Sequence, residues 1–212
     1  MEIIFDLDGT LWDSSDTVAA SWTDTLRRLD MPELNGLTLT AADLQSGMGM
    51  TMTALAEKYF PMLPPEKQLE VLGVCMEEEN KYIAVHGGRL FDREEETLKA
   101  LKAQHRLFIV SNCQCGYIEA FLTYTGFGKY FDGHMCWGDT RMPKSFTIGE
   151  LIKRQRCENP IYVGDTQGDC DAAYDAGVPF VHAAYGFGVM EKPERVSGTV
   201  ESFAELLTCF TK

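Results

Sequence analysis

Met1-Glu2-Ile3-Ile4-Phe5-Asp6-Leu7-Asp8-Gly9-Thr10-Leu11 runs a short apolar strand into two carboxylates two residues apart, just before a glycine. In a strand, residues i and i+2 point the same way, so Asp6 and Asp8 would face one another with like charges. A bound cation, or a proton kept on one of them, relieves that repulsion. One carboxylate can then attack an electrophile while its neighbour gives or takes a proton. Taken alone the pair also fits an acidic turn. Its partners later in the chain decide between the two.

The chain has 212 residues, enough for one full core and a smaller subdomain. A formal net charge of −13 argues against nucleic acid or an anionic membrane as a general partner. It does not oppose a phosphorylated substrate, because a local cation site overrides the global field. Glu2 and Asp6 break any signal-peptide pattern. No stretch approaches the roughly 18 apolar residues of a membrane span, and a cytoplasmic protein is expected. The seven cysteines are scattered, and Cys113-Gln114-Cys115 has no matching pair after it. The four histidines form no cluster. No metal site on sulfur or imidazole is expected, and most thiols should be reduced and buried.

Ser14 to Gly87 reads as helices only. Val18, Ala19, Trp22, Leu26 and Leu29 recur at helical spacing. Thr40-Ala41-Ala42-Asp43 resembles a capping box. Met52 to Phe60 marks another helix, and Pro64-Pro65 opens a longer one with Leu69, Leu72, Met76 and Ile83 on one side. From His86-Gly87-Gly88 onward, strands alternate with helices. Strands are expected at Leu107–Val110, His134–Trp137, Pro160–Val163 and Phe180–Ala183. Helices are expected over Arg93–Gln104, around Ile118–Leu122, after Pro143-Lys144, before Gly177, and over Ser202–Phe210. This alternation predicts an α/β fold: a three-layer, Rossmann-like parallel sheet core, residues 1–13 and 88–212, with an α-helical cap inserted over residues 14–87.

Ligands of such sheets bind beyond the carboxyl ends of the strands. The polar residues there are Asp6 and Asp8, then Ser111 and Asn112, then Asp165 and Asp169, with Lys144 behind a proline at a helix start. Oxygen ligands for magnesium, donors for phosphate oxygens and a nucleophile together suit phosphoryl transfer. Each piece alone also fits a turn, a cap or a solvated charge. Their joint occurrence at successive strand ends favours the functional reading.

The set resembles the haloacid dehalogenase-like hydrolases, in the branch of small phosphatases with a helical cap after the first strand. Asp6-Leu7-Asp8-Gly9-Thr10-Leu11 is similar to the first motif of that family, and Ser111-Asn112 and Lys144 fit the second and third. Gly164-Asp165-Thr166-Gln167-Gly168-Asp169 fits the fourth. The resemblance implies that Asp6 is the nucleophile and forms an aspartyl-phosphate. Asp8 then protonates the leaving alcohol and deprotonates the hydrolytic water. It implies magnesium held by Asp6, the Asp8 carbonyl and Asp165, with Asp169 in support. Ser111, Asn112, Gly9 and Lys144 would hold the phosphate of a small phosphorylated metabolite.

Two alternatives stay open. A phosphomutase similar to β-phosphoglucomutase shares these motifs, but such mutases are expected to grip a second phosphate with basic cap residues. Gly47-Met48-Gly49-Met50-Thr51 has none and looks more like the cap loop of phosphoglycolate-phosphatase-like enzymes. A receiver-type signalling domain also combines acidic residues, Ser/Thr and Lys on a parallel sheet, but it is smaller and has no helical insertion. Hinges are expected near Trp12–Ser15 and His86–Arg89. Trp22, Met48, Met50 and Met52 are candidates to face the substrate, with Trp22 better suited to packing inside the cap.

Overall fold

The computed structural model of the protein describes residues 1–47 and 50–210; Met48 and Gly49 of the expected cap loop lie outside them. In chain order the strands are β1 (Glu2–Phe5), β2 (Trp12–Asp13), β3 (Arg89–Leu90), β4 (Arg106–Ser111), β5 (Gly133–Cys136), β6 (Pro160–Gly164), β7 (Phe180–Ala183) and β8 (Val196–Val200). Six of them form one sheet in the order β5-β4-β1-β6-β7-β8, with every neighbouring pair parallel. β2 and β3 pair antiparallel where the chain leaves the core and returns to it. Ile3, Ile4 and Phe5 of the central β1 are fully buried, each contributing on the order of 1.5–3 kcal/mol. Phe5 is level with Ile109 of β4 and Val163 of β6. Asp6, Ser111 and Asp165 therefore leave the sheet at the same edge, where the chain order reverses direction.

The chain divides into two compact units. The first comprises Met1–Asp13, Arg89–Ile118 and Gly126–Lys212; the second comprises Ser14–Gly88 and Glu119–Thr125. The second unit thus takes in Glu119–Thr125, a segment the sequence assigns to the core. Its helices are α1 (Ser15–Arg28), α2 (Ala41–Gln45), α3 (Met52–Tyr59) and α4 (Pro65–His86). Thr40 and Asp43 cap α2 reciprocally. Trp22 of α1 packs inside this unit, edge-on to Tyr59 and stacked on Phe60. Its indole N–H donates to the buried carboxylate of Glu79. Of the expected stripe of α4, Leu72 and Ile83 are buried, but the stripe as a whole runs differently. Val71, Cys75, Glu79 and Ile83 recur every four residues and are buried, while Leu69 is exposed. A glutamate in the stripe disguises its period.

In the first unit the helices are α5 (Glu94–Lys102), α6 (Tyr117–Thr125, whose last residues belong to the second unit), α7 (Trp137–Thr140), α8 (Lys144–Gln155), α9 (Gln167–Asp175) and α10 (Leu206–Phe210). Ile148 and Leu151 of α8 and Ala172 and Ala173 of α9 pack with Ile4, Phe108, Val110, Tyr162 and Phe180. Phe5, pointing the other way, stacks on Phe203 and meets Phe131 edge-on, on the side where α5 and α10 pack together. Helices therefore cover both faces of the parallel sheet.

Smaller departures have local causes. Arg93 is left-handed at φ 56°, so α5 starts at Glu94. Trp137 opens α7 rather than ending β5, because Asp139 caps the backbone of Cys136. The last expected helix is split into a 3-10 turn, Phe203–Glu205, and α10. No described helix is long and apolar enough to cross a membrane.

Candidate active site

Asp6 follows β1 and is buried, and its N–H donates to Val163 O. Lys144, the first residue of α8, brings its ammonium to Asp6 Oδ1 at 2.9 Å and to Asp169 Oδ1 at 2.5 Å. Asp169 uses its other oxygen to accept from Thr166, both N–H and Oγ1, in a capping box that opens α9. Asp169 is therefore fixed from two sides and in turn fixes Lys144.

Asp165 directly follows β6 and is fully buried. Its Oδ2 accepts from the N–H groups of Phe187 and Gly188 at 2.7 and 3.3 Å. Its Oδ1 is buried with no hydrogen-bond partner among the described residues. Oxygens of Asp6, Asp165 and Asp169 all lie within 4.8 Å of one another. Burial and the nearby Asp169 push the Asp165 carboxyl up to about 7. Asp6 is raised by burial and by Asp169, against the pull of Lys144, with Asp165 raising it further. Burial opposes the charge on Lys144, but Asp169 and Asp6 hold its ammonium firmly protonated. With all three carboxylates ionised, the single ammonium leaves two negative charges uncompensated; a proton on one acid lessens that excess, and a divalent cation would balance it. An orphaned, buried carboxylate oxygen in an all-oxygen donor set fits a hard cation such as magnesium.

Asp8 is held by two ring donors. Its Oδ1 accepts from the Trp12 indole at 3.0 Å and from the Tyr117 hydroxyl at 2.8 Å. β1 ends at Phe5, the backbone turns at Gly9, and the charges that raise Asp6 belong to Asp169 and Asp165. Gly9 has a local partner. Its N–H, expected at a phosphate, donates to Trp12 O at 2.8 Å. Its φ is +83°, and a Cβ there would lie 2.3 Å from Asp165 Oδ2, so glycine is required to admit Asp165.

Ser111 closes β4 and is buried, and the half-buried Asn112 follows it. Asp6, Ser111, Lys144, Asp165 and Asp169 thus all stand at the carboxyl edge of the sheet. Sequence reading missed Tyr117, the Trp12 donor and the loop Tyr185-Gly186-Phe187-Gly188 that holds Asp165. A Gly-x-Gly after a strand was the available signal for that loop. The thiols also depart from expectation. Only Cys75, Cys136 and Cys170 are buried, and Cys115, Cys136 and Asp139 come together.

The haloacid dehalogenase-like hydrolase family model matches residues 3–183, and the chain belongs to that family. It is an enzyme of the phosphatase kind. Phosphoglycolate phosphatase of Escherichia coli (strain K12) is 28% identical over 209 residues, covering 89% of this chain and 83% of the relative. A haloacid dehalogenase-like family hydrolase of Streptococcus pneumoniae superposes with a TM-score of 0.81 at 21% identity, covering 99% and 98% of the two chains. CbbY of Rhodobacter sphaeroides, solved in complex with phosphate, gives 0.77 at 18% identity, covering 97% and 95%. These two solved structures share the fold.

Proposed function

We propose that the protein hydrolyses the phosphate monoester of a small metabolite, with Asp6 as nucleophile. The observation that carries this reading is the buried Asp6 carboxylate at the end of the central strand. Lys144 grips it at 2.9 Å inside a cluster short of positive charge. An Asp6 oxygen attacks phosphorus, the phosphorus–oxygen ester bond breaks, and Asp8 delivers its proton to the departing alkoxide. Asp8, now a carboxylate, takes a proton from water as that water attacks the aspartyl-phosphate. Inorganic phosphate leaves and Asp6 is restored.

Trp12 and Tyr117 hold the Asp8 carboxyl through Oδ1, which sets the direction in which it presents its proton. Ser111 and Asn112 receive the phosphate oxygens, and Lys144 balances charge on nucleophile and phosphate. Asp6, Asp165 and the Asp8 carbonyl, with Asp169 in support, would hold magnesium, which would supply charge to balance the cluster and the transferring phosphoryl group. Asp165 Oδ1 is the buried ligand oxygen that has no hydrogen-bond partner among the described residues.

The relatives make phosphoglycolate the first member of a panel of phosphorylated metabolites to test with magnesium and with EDTA. Sustained release of inorganic phosphate is expected from at least one small monoester, lost in EDTA and restored by added magnesium. Activity indifferent to EDTA would undo the metal assignment. A sugar phosphate isomerised without phosphate release would identify a mutase, and one phosphorylation event without turnover a receiver.

A further inference from the structure

A second group of ligand atoms, unused by the phosphatase chemistry, lies beside the ends of β4 and β5. Register pairs Ser111 with Cys136, so the loop carrying Cys113 and Cys115 runs alongside the start of α7. The two segments are tied by Gly138 N–H, which donates to Cys113 O at 3.2 Å. A Cβ at residue 138 would lie 2.3 Å from Cys115 N and 2.6 Å from its Sγ, so the close approach requires glycine. Asp139 uses Oδ2 to accept from Cys136 N–H at 2.8 Å, which leaves Oδ1 facing Cys115 Sγ at 3.9 Å. The sulfurs of Cys115 and Cys136 and an Asp139 oxygen all lie within 4.8 Å of one another.

We propose that Cys115, Cys136 and Asp139 form a binding site for a thiophilic divalent cation of the zinc class, distinct from the all-oxygen cluster of Asp6, Asp165 and Asp169. Tetrahedral zinc with sulfur at about 2.3 Å and oxygen at about 2.0 Å needs ligand separations of roughly 3.5–3.8 Å. The present spacing, all within 4.8 Å, reaches this by contractions of at most about 1.3 Å, supplied by side-chain rotation of the exposed Cys115 and Asp139. Two thiolates and a carboxylate select a softer ion than magnesium. On binding, Cys115 and Cys136 each lose a proton to solvent and donate a sulfur lone pair, with no change in oxidation state, so affinity rises with pH. The exposed side leaves a fourth position to water. No Cys-x-x-Cys pair announces this site, because its ligands come from two loops that only the sheet register brings together.

Cadmium(II) added to the fully reduced protein in excess magnesium tests the site, with thiolate-to-metal charge-transfer absorption as the readout. One ion per chain is expected. Cys115→Ser, at an exposed position, should weaken binding more than about tenfold, and Cys136→Ser should do the same. Asp139→Asn, which keeps an acceptor for the Cys136 N–H, should weaken it less. Asp165→Asn should leave the band and its midpoint unchanged, since carboxylates give no such absorption. Absence of the band would overturn the proposal, as would a band that survives Cys115→Ser and Cys136→Ser but disappears in Cys209→Ser.

Discussion

Each compact unit buries carboxylates, and the contrast between them separates architecture from chemistry. In the helical unit Glu79 lies in the stripe of α4 and accepts from the neutral Trp22 indole. In the sheet unit Asp6 and Asp169 share one ammonium, Asp165 lies within reach of both, and one Asp165 oxygen has no partner among the described residues. The first arrangement is satisfied by protein groups alone. The second keeps an excess of negative charge in a buried place, where it costs stability unless a cation joins it. A buried acid is not by itself a site. Convergent acids with too few positive charges are.

The contrast breaks most visibly at Lys144. Lys144→Ala removes the only cation contacting the cluster among the described residues, and should cost about 3–5 kcal/mol of stability in magnesium-free buffer. Turnover should fall by at least about 10²-fold. Chemical denaturation and steady-state assays of the same sample check both, and an unchanged midpoint would mean that the cluster carries no strain.

Next comes the pH dependence. Asp165, raised from the usual 3.8 to about 7, keeps its proton in the folded state over an interval in which the unfolded chain has lost it. Stability of the magnesium-free protein should therefore fall as pH rises from about 4 to about 7, by on the order of 2–4 kcal/mol. Saturating magnesium should flatten that fall by displacing the proton, and Asp165→Asn should abolish it. Thermal midpoints across pH, with and without magnesium, measure it.

The smallest effect is expected in the helical unit. Trp22→Phe keeps the ring stacking but removes the donor to Glu79, costing about 1–3 kcal/mol. Turnover per folded molecule should stay unchanged. A drop in turnover larger than the drop in folded fraction would move Trp22 from architecture to chemistry.

The same contrast explains what sequence could tell. Asp6, Lys144 and Asp165 were legible because each ends an apolar strand or opens a helix behind proline, and those positions share one edge of a parallel sheet. Glu79 hid the period of α4, because a glutamate is not expected in a core stripe. β8 was missed because Ser197-Gly198-Thr199 between its valines lacks an apolar alternation. The partners of Asp8 and Asp165 are non-local. Tyr117 lies 109 residues from Asp8 and Phe187 lies 22 from Asp165, and no local pattern ties them together. Motif spacing places Gly9 beside the phosphate but cannot show that its N–H donates to Trp12 or that its missing side chain makes room for Asp165.

The most direct test is to find the phosphoryl group on the protein. Acid quenching during the first turnovers of a phosphate monoester should trap a phosphoprotein whose label lies in the peptide containing Asp6. Asp6→Asn should remain folded, form no such species and lose essentially all turnover. Turnover near the native rate in Asp6→Asn, or a label on another residue, would contradict the account.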